Sequence, residues 1–375
     1  MNERQRVLSS AYMHWAKTVS QARYNLASSG VGHYPLERLR VSLSDLELSG
    51  TSGYGYPPLQ EAIAAKHDVS VDSVVSANGT SMANFLALAA LLSPGDEVLV
   101  EQPTYELIIS AALYLGAEVK RFSRPREHGF RLDPAEVERA ITPRTRLVVL
   151  ANLHNPSNAY ADEETLGQIG DIAARVGARV LVDEVYLDAA FARAPRTAFH
   201  LGEHFISTGS LTKVYGLSGL RCGWILAAPA LAERMWRLND LFGVAQPHAA
   251  ERLSCIAFAR LPEIAAESHA LLERNRALTN DFFATRDDLE TFPITDGMIS
   301  FPRLLSRVGG DDSDDSGVGV EALCALLREK YETSIVPGRF FEMPAHFRLS
   351  ISGDTAMLSG GLERLGAALD ELRGK

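Results

Sequence analysis

The sequence predicts an α/β protein: a mostly parallel sheet between helices, joined to a smaller α+β part. From about residue 57 to 260, helical stretches such as LQEAIAAKH and SMANFLALAALL alternate with short β-branched runs, EVLVE, RLVVLAN, RVLVDE, HFIST and GWILA. Strands separated by helices pair in parallel and are covered on both faces. The texture changes after residue 260, where long helical and short strand-like stretches follow each other without that alternation. Five polar clusters also fall just past the strand-like runs, where loops converge in such sheets and helix N-termini point.

Taken in order, the first forty residues read as a helix and an extended arm. The five clusters are NGTS (78–81), QPTY (102–105), NLHNPSN (152–158), DEVY (183–186) and STGSLTKVYGLSGLRCGW (207–224). The last part holds a long helix through LPEIAAESHALLERNRALTNDFFATRDDL, a strand-like MISFPRL, a helix near GVEALCALLREKYE, a strand-like FRLSIS and a closing amphipathic helix. A chain of 375 residues exceeds what one core ordinarily fills, about 250–300 residues. The expected division is an arm over 1–40, a large α/β domain over 41–265 and a small α+β domain over 266–375. No internal repeat is present.

Composition narrows the function classes. A formal net charge of -10 opposes binding to phosphate backbones, and no Lys/Arg stripe with interleaved aromatics overrides it. The polar N-terminus lacks the apolar core of a signal peptide, and no run approaches the length of a membrane helix, so the expectation is a cytoplasmic protein without nucleic-acid or membrane partners. Cys222, Cys255 and Cys324 are too few and too scattered for a disulfide frame.

Lys213 draws attention because it follows a strand-like run and precedes glycines that leave room for a flat, bulky group. Ser210 and Lys213 match the S-x-x-K of penicillin-interacting serine enzymes, but the S-D-N and K-T-G elements that accompany it occur nowhere in the chain. The competing chemistry is a Schiff base to pyridoxal 5'-phosphate. That cofactor needs an imine-forming lysine, a carboxylate for the pyridinium nitrogen and donors for the phosphate. Asp183 ends an apolar strand and suits the carboxylate role. Asn78-Gly79-Thr80-Ser81 opens a helical run and suits the phosphate, although a simple N-cap fits the tetrapeptide equally. Ser210 and Arg221 flank the lysine, and an arginine fork matches phosphate geometry.

SLTKVYGLSGLRCGW resembles the lysine signature of the class I/II aminotransferases, the fold-type I pyridoxal-phosphate enzymes similar to aspartate aminotransferase. The order GTS, PTY, NPS, DEVY, S-x-x-K, Arg and a late Arg extends the resemblance over roughly residues 25 to 352. It implies a seven-stranded-type sheet, a homodimer and amino-acid and 2-oxo acid substrates. It further implies Lys213 as Schiff-base lysine and proton carrier, and Asp183 on the ring nitrogen. Tyr186 and Asn155 would reach the ring oxygen, and Tyr105 would stack on the ring. Gly79, Thr80, Ser81, Ser210 and Arg221 would lie around the phosphate. Arg348 would take the substrate α-carboxylate, with Gly30 and Asn155 beside it. The same lysine, aspartate and phosphate cup would serve a β-lyase or another amino-acid carbanion enzyme. A non-catalytic sensor of the kind fused to DNA-binding modules would need a helix-turn-helix segment ahead of the fold, which the short arm does not offer.

Two departures from the family pattern stand out. Asn158 replaces the usual glycine after NPS, putting the shape of that loop in question. Neither Tyr54 nor Tyr56 has the spacing of the tyrosine that commonly reaches the phosphate from a partner subunit, so that role stays unassigned. His200 and His204 have zinc-like spacing but no third ligand and a glycine between them, and GGDDSDDSG (309–317) lacks the glutamate that would complete a calcium loop, so no metal is expected. His154 reads either as a pocket residue or as a packed loop histidine.

Overall fold

The computed structural model describes residues 7–50, 53–305 and 317–374. The acidic stretch 309–317 lies, apart from Gly317, outside the described residues. Helix α1 (Ala11–Thr18) and strand β1 (Tyr24–Asn25) form the N-terminal arm, followed by α2 (Pro57–His67). The alternating region then runs β2 (Val74–Asn78), α3 (Gly79–Leu91), β3 (Glu97–Gln102), α4 (Glu106–Tyr114), β4 (Glu118–Ser123), α5 (Pro134–Ala140), β5 (Thr145–Ala151), α6 (Glu163–Arg175), β6 (Arg179–Asp183), β7 (Phe205–Ser210) and β8 (Cys222–Leu226).

These strands make one seven-stranded sheet in the order β2-β8-β7-β6-β5-β3-β4. All neighbours pair in parallel except β8, which is antiparallel to β2 and to β7. Parallel strands covered on both faces need apolar side chains at every position, and Leu147 to Leu150 in β5 and Val180 to Val182 in β6 are fully buried. Local signals set several helix starts. The Asp162 carboxylate accepts from Thr165 N at the head of α6, and Asp133 caps α5, with Pro134 in its first turn.

After the sheet come α7 (Pro229–Asn239), α8 (His248–Ala259) and α9 (Leu261–Ala284), then β9 (Leu289–Glu290), β10 (Ile299–Ser300), β11 (Arg303–Leu304), α10 (Val318–Tyr331), β12 (Thr333–Ser334), β13 (Val336–Pro337), β14 (Phe347–Ser350) and α11 (Thr355–Arg373). Strand β14 lies between β10 and β13, antiparallel to both. The expected strand in MISFPRL is split by Pro302, which has no N–H to give a ladder. The arm does not stand apart, because β1 pairs in parallel with β12 near the other end of the chain.

A buried ion pair fixes the floor beneath the site. Arg124 and Glu101 have fully buried side chains 2.7 Å apart. Glu101 also accepts from Ala151 N at 2.8 Å, and Arg124 Nε donates to the Phe130 carbonyl at 2.8 Å. Burial pushes the Glu101 carboxyl up to about 7, against the pull of Arg124.

Candidate active site

The parallel strands end along one edge of the sheet, and the residues following β2, β5, β6 and β7 converge there. Lys213 follows β7; its Nζ donates to Ser29 Oγ at 2.6 Å and its carbonyl accepts from Val31 N at 2.8 Å. Burial, then the Arg348 and Arg221 cations, push the amine down from 10.5 to about 8, opposed by Asp183. Its neutral form is thereby brought within reach of neutral pH.

Asp183, the last residue of β6, is buried. Its carboxylate accepts from Asn84 Nδ2 at 2.7 Å and from Val185 N at 3.0 Å, and Asn84 Oδ1 accepts from Thr208 Oγ1 at 2.6 Å. Burial raises this carboxyl, and the donors pull it back. Tyr186 is buried just beyond, its phenol pushed up to about 12 chiefly by desolvation, so it stays a proton donor.

The phosphate candidates form a cradle at the start of α3. Gly79 has φ +75°, and a Cβ there would collide with the Arg221 guanidinium. A Cβ on Gly223 would lie 2.5 Å from the Gly79 backbone, so Gly223 is required by close approach and Gly79 by its left-handed backbone. Arg221, itself at φ 49°, donates to the Asn78 carbonyl at 3.2 Å. Thr80 Oγ1 and Thr212 Oγ1 are buried and have no partner among the described residues. Orphaned hydroxyls beside a helix N-terminus and an arginine are what an anion would satisfy. Ser210 is buried, its Oγ accepting from Thr212 N at 3.3 Å, whereas Ser81 is exposed.

Across from the cradle, Arg348 of β14 is buried and donates from Nη1 to Asn155 Oδ1 at 3.2 Å and from Nη2 to the Tyr12 hydroxyl at 2.9 Å and the Ala27 carbonyl at 3.4 Å. Its Nε has no partner among the described residues. The Gly30 carbonyl accepts from Ser352 Oγ at 2.7 Å, and a Cβ on Gly30 would lie 3.3 Å from the Lys213 carbonyl oxygen. Tyr105 sits at the start of α4 with its hydroxyl on Met13 Sδ at 3.4 Å and its ring edge-on to Tyr12.

The open questions from the sequence resolve locally. His154 is fully buried; its Nε2 donates to the Pro103 carbonyl at 2.9 Å and Nδ1 takes the Ser157 hydroxyl at 2.6 Å, so it is a packed loop histidine. Burial and Arg124 hold it well below the usual imidazole range. Asn158 adopts φ 67°, the left-handed conformation a glycine would take, and its Nδ2 donates to the Asp296 carbonyl at 3.2 Å and to the Ile299 carbonyl. Behind that loop a cavity of about 850 Å³ is bounded by Phe130, Arg193, Phe292, Asp296 and Phe301 and holds none of the cofactor candidates. His200 Nε2 donates to the His67 carbonyl. Tyr54 donates to Asp240 at 3.1 Å and Tyr56 packs on His248, neither near the cradle of its own chain.

Sequence reading missed Ser29, Asn84 and Tyr12. Asn84 carried a signal: it interrupts the apolar run Met82–Leu91 and lies four residues after Thr80, on the same face. Ser29 and Tyr12 carried none, because their partners are far away in the chain.

The family model for class I and II aminotransferases matches residues 26–365. The chain belongs to the class I and II aminotransferase family. The cofactor of this aminotransferase is pyridoxal 5'-phosphate, and its reaction is the transfer of an amino group between an amino acid and a 2-oxo acid. Capreomycidine synthase of Streptomyces vinaceus is 28% identical over 361 residues, covering 93% of this chain and 90% of that one. The arginine–pyruvate transaminase of Pseudomonas aeruginosa is 28% identical, covering 88% and 86%. A pyridoxal-phosphate-dependent aminotransferase from Streptococcus suis superposes with a TM-score of 0.85 at 25% identity, covering 93% of this aminotransferase and 94% of that chain.

Proposed function

We propose that the reaction runs through Lys213, in a homodimer, with the cofactor held between the cradle at Gly79, Thr80, Ser210 and Arg221 and the carboxylate of Asp183. The observation that carries this reading is the position of the Lys213 amine, among Ser29, Asp183, Arg221 and Arg348, with its pKa lowered to about 8. Bound pyridoxal phosphate supplies the electron sink that makes an amino acid's α-proton acidic. The chain's own groups do the rest. Arg348 binds the substrate α-carboxylate as a fork, and Gly30 leaves room for the substrate beside Lys213. Tyr186 and Asn155 donate to the ring oxygen. Lys213 Nζ is placed to take the α-proton and, once protonated, to give a proton back.

The dimer reading is supported by apolar side chains left in solvent: Leu43 is 89% exposed, Leu48 87% and Leu241 77%, with Tyr54, Phe242 and Val244 also exposed. Phe242 contacts Phe85, which contacts Tyr114, and Tyr54 contacts Trp236, so part of this surface is continuous. The division at residues 40 and 265 and a cytoplasmic location belong to the same proposal.

A β-lyase, or another reaction of the same carbanion, is the second reading, favoured by the similarity to capreomycidine synthase. One experiment separates them: add amino acids singly to the cofactor-loaded protein and follow the absorbance and the product. Release of the donor's oxo acid with a pyridoxamine spectrum supports transamination. Pyruvate with ammonia, or a product that keeps its nitrogen while the cofactor spectrum returns, supports the alternative. Loss of product formation in Lys213→Ala is expected under both, and turnover that persists would remove Lys213 from the mechanism.

A further inference from the structure

The first turn of helix α1 is anchored by a carboxylate. Glu106 accepts from Ser10 Oγ at 2.7 Å, Ala11 N at 3.2 Å and Tyr12 N at 2.7 Å, and also from Ser110 Oγ at 3.3 Å. Ser10 Oγ in turn caps Met13 N. A carboxylate at the first turn of a helix satisfies N–H groups that have no partner within the helix and sits at the positive end of its dipole. Glu106 follows Tyr105, so the same turn carries both the clamp and the ring-stacking candidate.

The clamp delivers Tyr12 to Arg348. Tyr12 is buried, packed edge-on against Tyr105 and Phe340 with centroids 5.5 Å away, and its hydroxyl oxygen accepts from Arg348 Nη2. Having accepted from the guanidinium, that hydroxyl keeps its own proton, for which no acceptor is found among the described residues. Arg348 Nε is likewise buried without a partner among those residues. A donor O–H and a donor N–H, neither used, therefore lie on one small patch. A carboxylate, which accepts only, is the group that would satisfy both.

We propose that Tyr12 is a substrate-binding residue whose hydroxyl donates to the carboxylate bound by Arg348, and that Glu106 is the positioning residue that holds it there. This rests on the reading of Arg348 as the carboxylate site. Tyr12 and the first turn of α1 are then part of the substrate pocket of their own chain.

The test uses holoenzyme. Tyr12→Phe keeps the ring packing and removes the hydroxyl. A hydrogen bond to a charged group is worth a roughly ten- to hundredfold change in affinity, so KM for the amino donor rises by about that factor while kcat changes little. Propionate, a carboxylate with no amino group, serves as competitive inhibitor, and its inhibition constant rises in parallel. Glu106→Gln raises KM in the same sense, and amides of residues 11–18 exchange hydrogen faster than in Tyr12→Phe. An unchanged or lowered KM and inhibition constant in Tyr12→Phe overturns the proposal. Faster exchange in Glu106→Gln without a rise in KM overturns the positioning role. Arg348→Lys run in parallel distinguishes the levels: if it too leaves both constants unchanged, the carboxylate site itself has been misplaced, whereas a rise in Arg348→Lys alone removes only Tyr12.

Discussion

The amine of Lys213 should capture its cofactor at pH values where an ordinary lysine is almost inert. Only the neutral amine attacks an aldehyde. A lysine at its usual 10.5 has roughly one amine in three thousand neutral at pH 7, and one at about 8 has roughly one in eleven, a gain of about 300-fold. The perturbation is pH, applied to cofactor-free protein mixed rapidly with saturating pyridoxal phosphate, with the covalent phase followed by absorbance. The expected rate rises about tenfold per pH unit up to about 8 and then levels off. Two variants test the cause. Arg348→Met removes a cation that disfavours the ammonium, so the bend moves to higher pH; Asp183→Asn removes an anion that favours it, so the bend moves lower. A rate that climbs unbroken through pH 10, or bends that move the opposite way, would refute the reasoning.

Thr80→Val should weaken cofactor retention about ten- to hundredfold by equilibrium dialysis, since a buried orphan hydroxyl is removed from a charged ligand; unchanged retention would move the phosphate elsewhere. Asn84→Leu should leave the cofactor bound but lower kcat at least about tenfold, because Asp183 loses a donor at 2.7 Å that holds it ionised. Glu101→Leu should cost about 3–5 kcal/mol in urea unfolding by stranding the Arg124 cation. Arg124→Met should cost less at pH 6 than at pH 8: without its cation Glu101 titrates above 7 in the folded state, and a raised carboxyl loses stability as pH rises past its unfolded value near 4.5. A pH-independent loss in that variant would show that Glu101 has another source of charge compensation.

Much of the candidate site was legible as a cluster because a parallel sheet gathers its strand ends along one edge. Asp183, Asn155 and Lys213 each follow a run of buried β-branched residues, and Gly79 opens the helix after β2, so spacing along the chain places them at one edge. What escaped reading depends on contacts across the whole chain. Tyr12 meets Arg348 at a separation of 336 residues and Lys213 meets Ser29 at 184, and no periodicity records such pairs. Asn158 lies between these cases. Its left-handed backbone was foreseeable from the glycine it replaces, whereas its use of Nδ2 to bind the carbonyls of Asp296 and Ile299 was not.

The pairing of β1 with β12 sets an order of events during synthesis. Residues 24 and 25 leave the ribosome early, yet their partners 333 and 334 are among the last tenth or so of the chain to be made. The seven-stranded sheet is complete once Leu226 has emerged, so it can form before β1 has its partner. Glu106 and Lys213, which bind residues 10–12, 29 and 31, are also made by then, so a chain stopped short of β12 should own a finished cradle and a docked α1 but, without Arg348, no site for a substrate carboxylate.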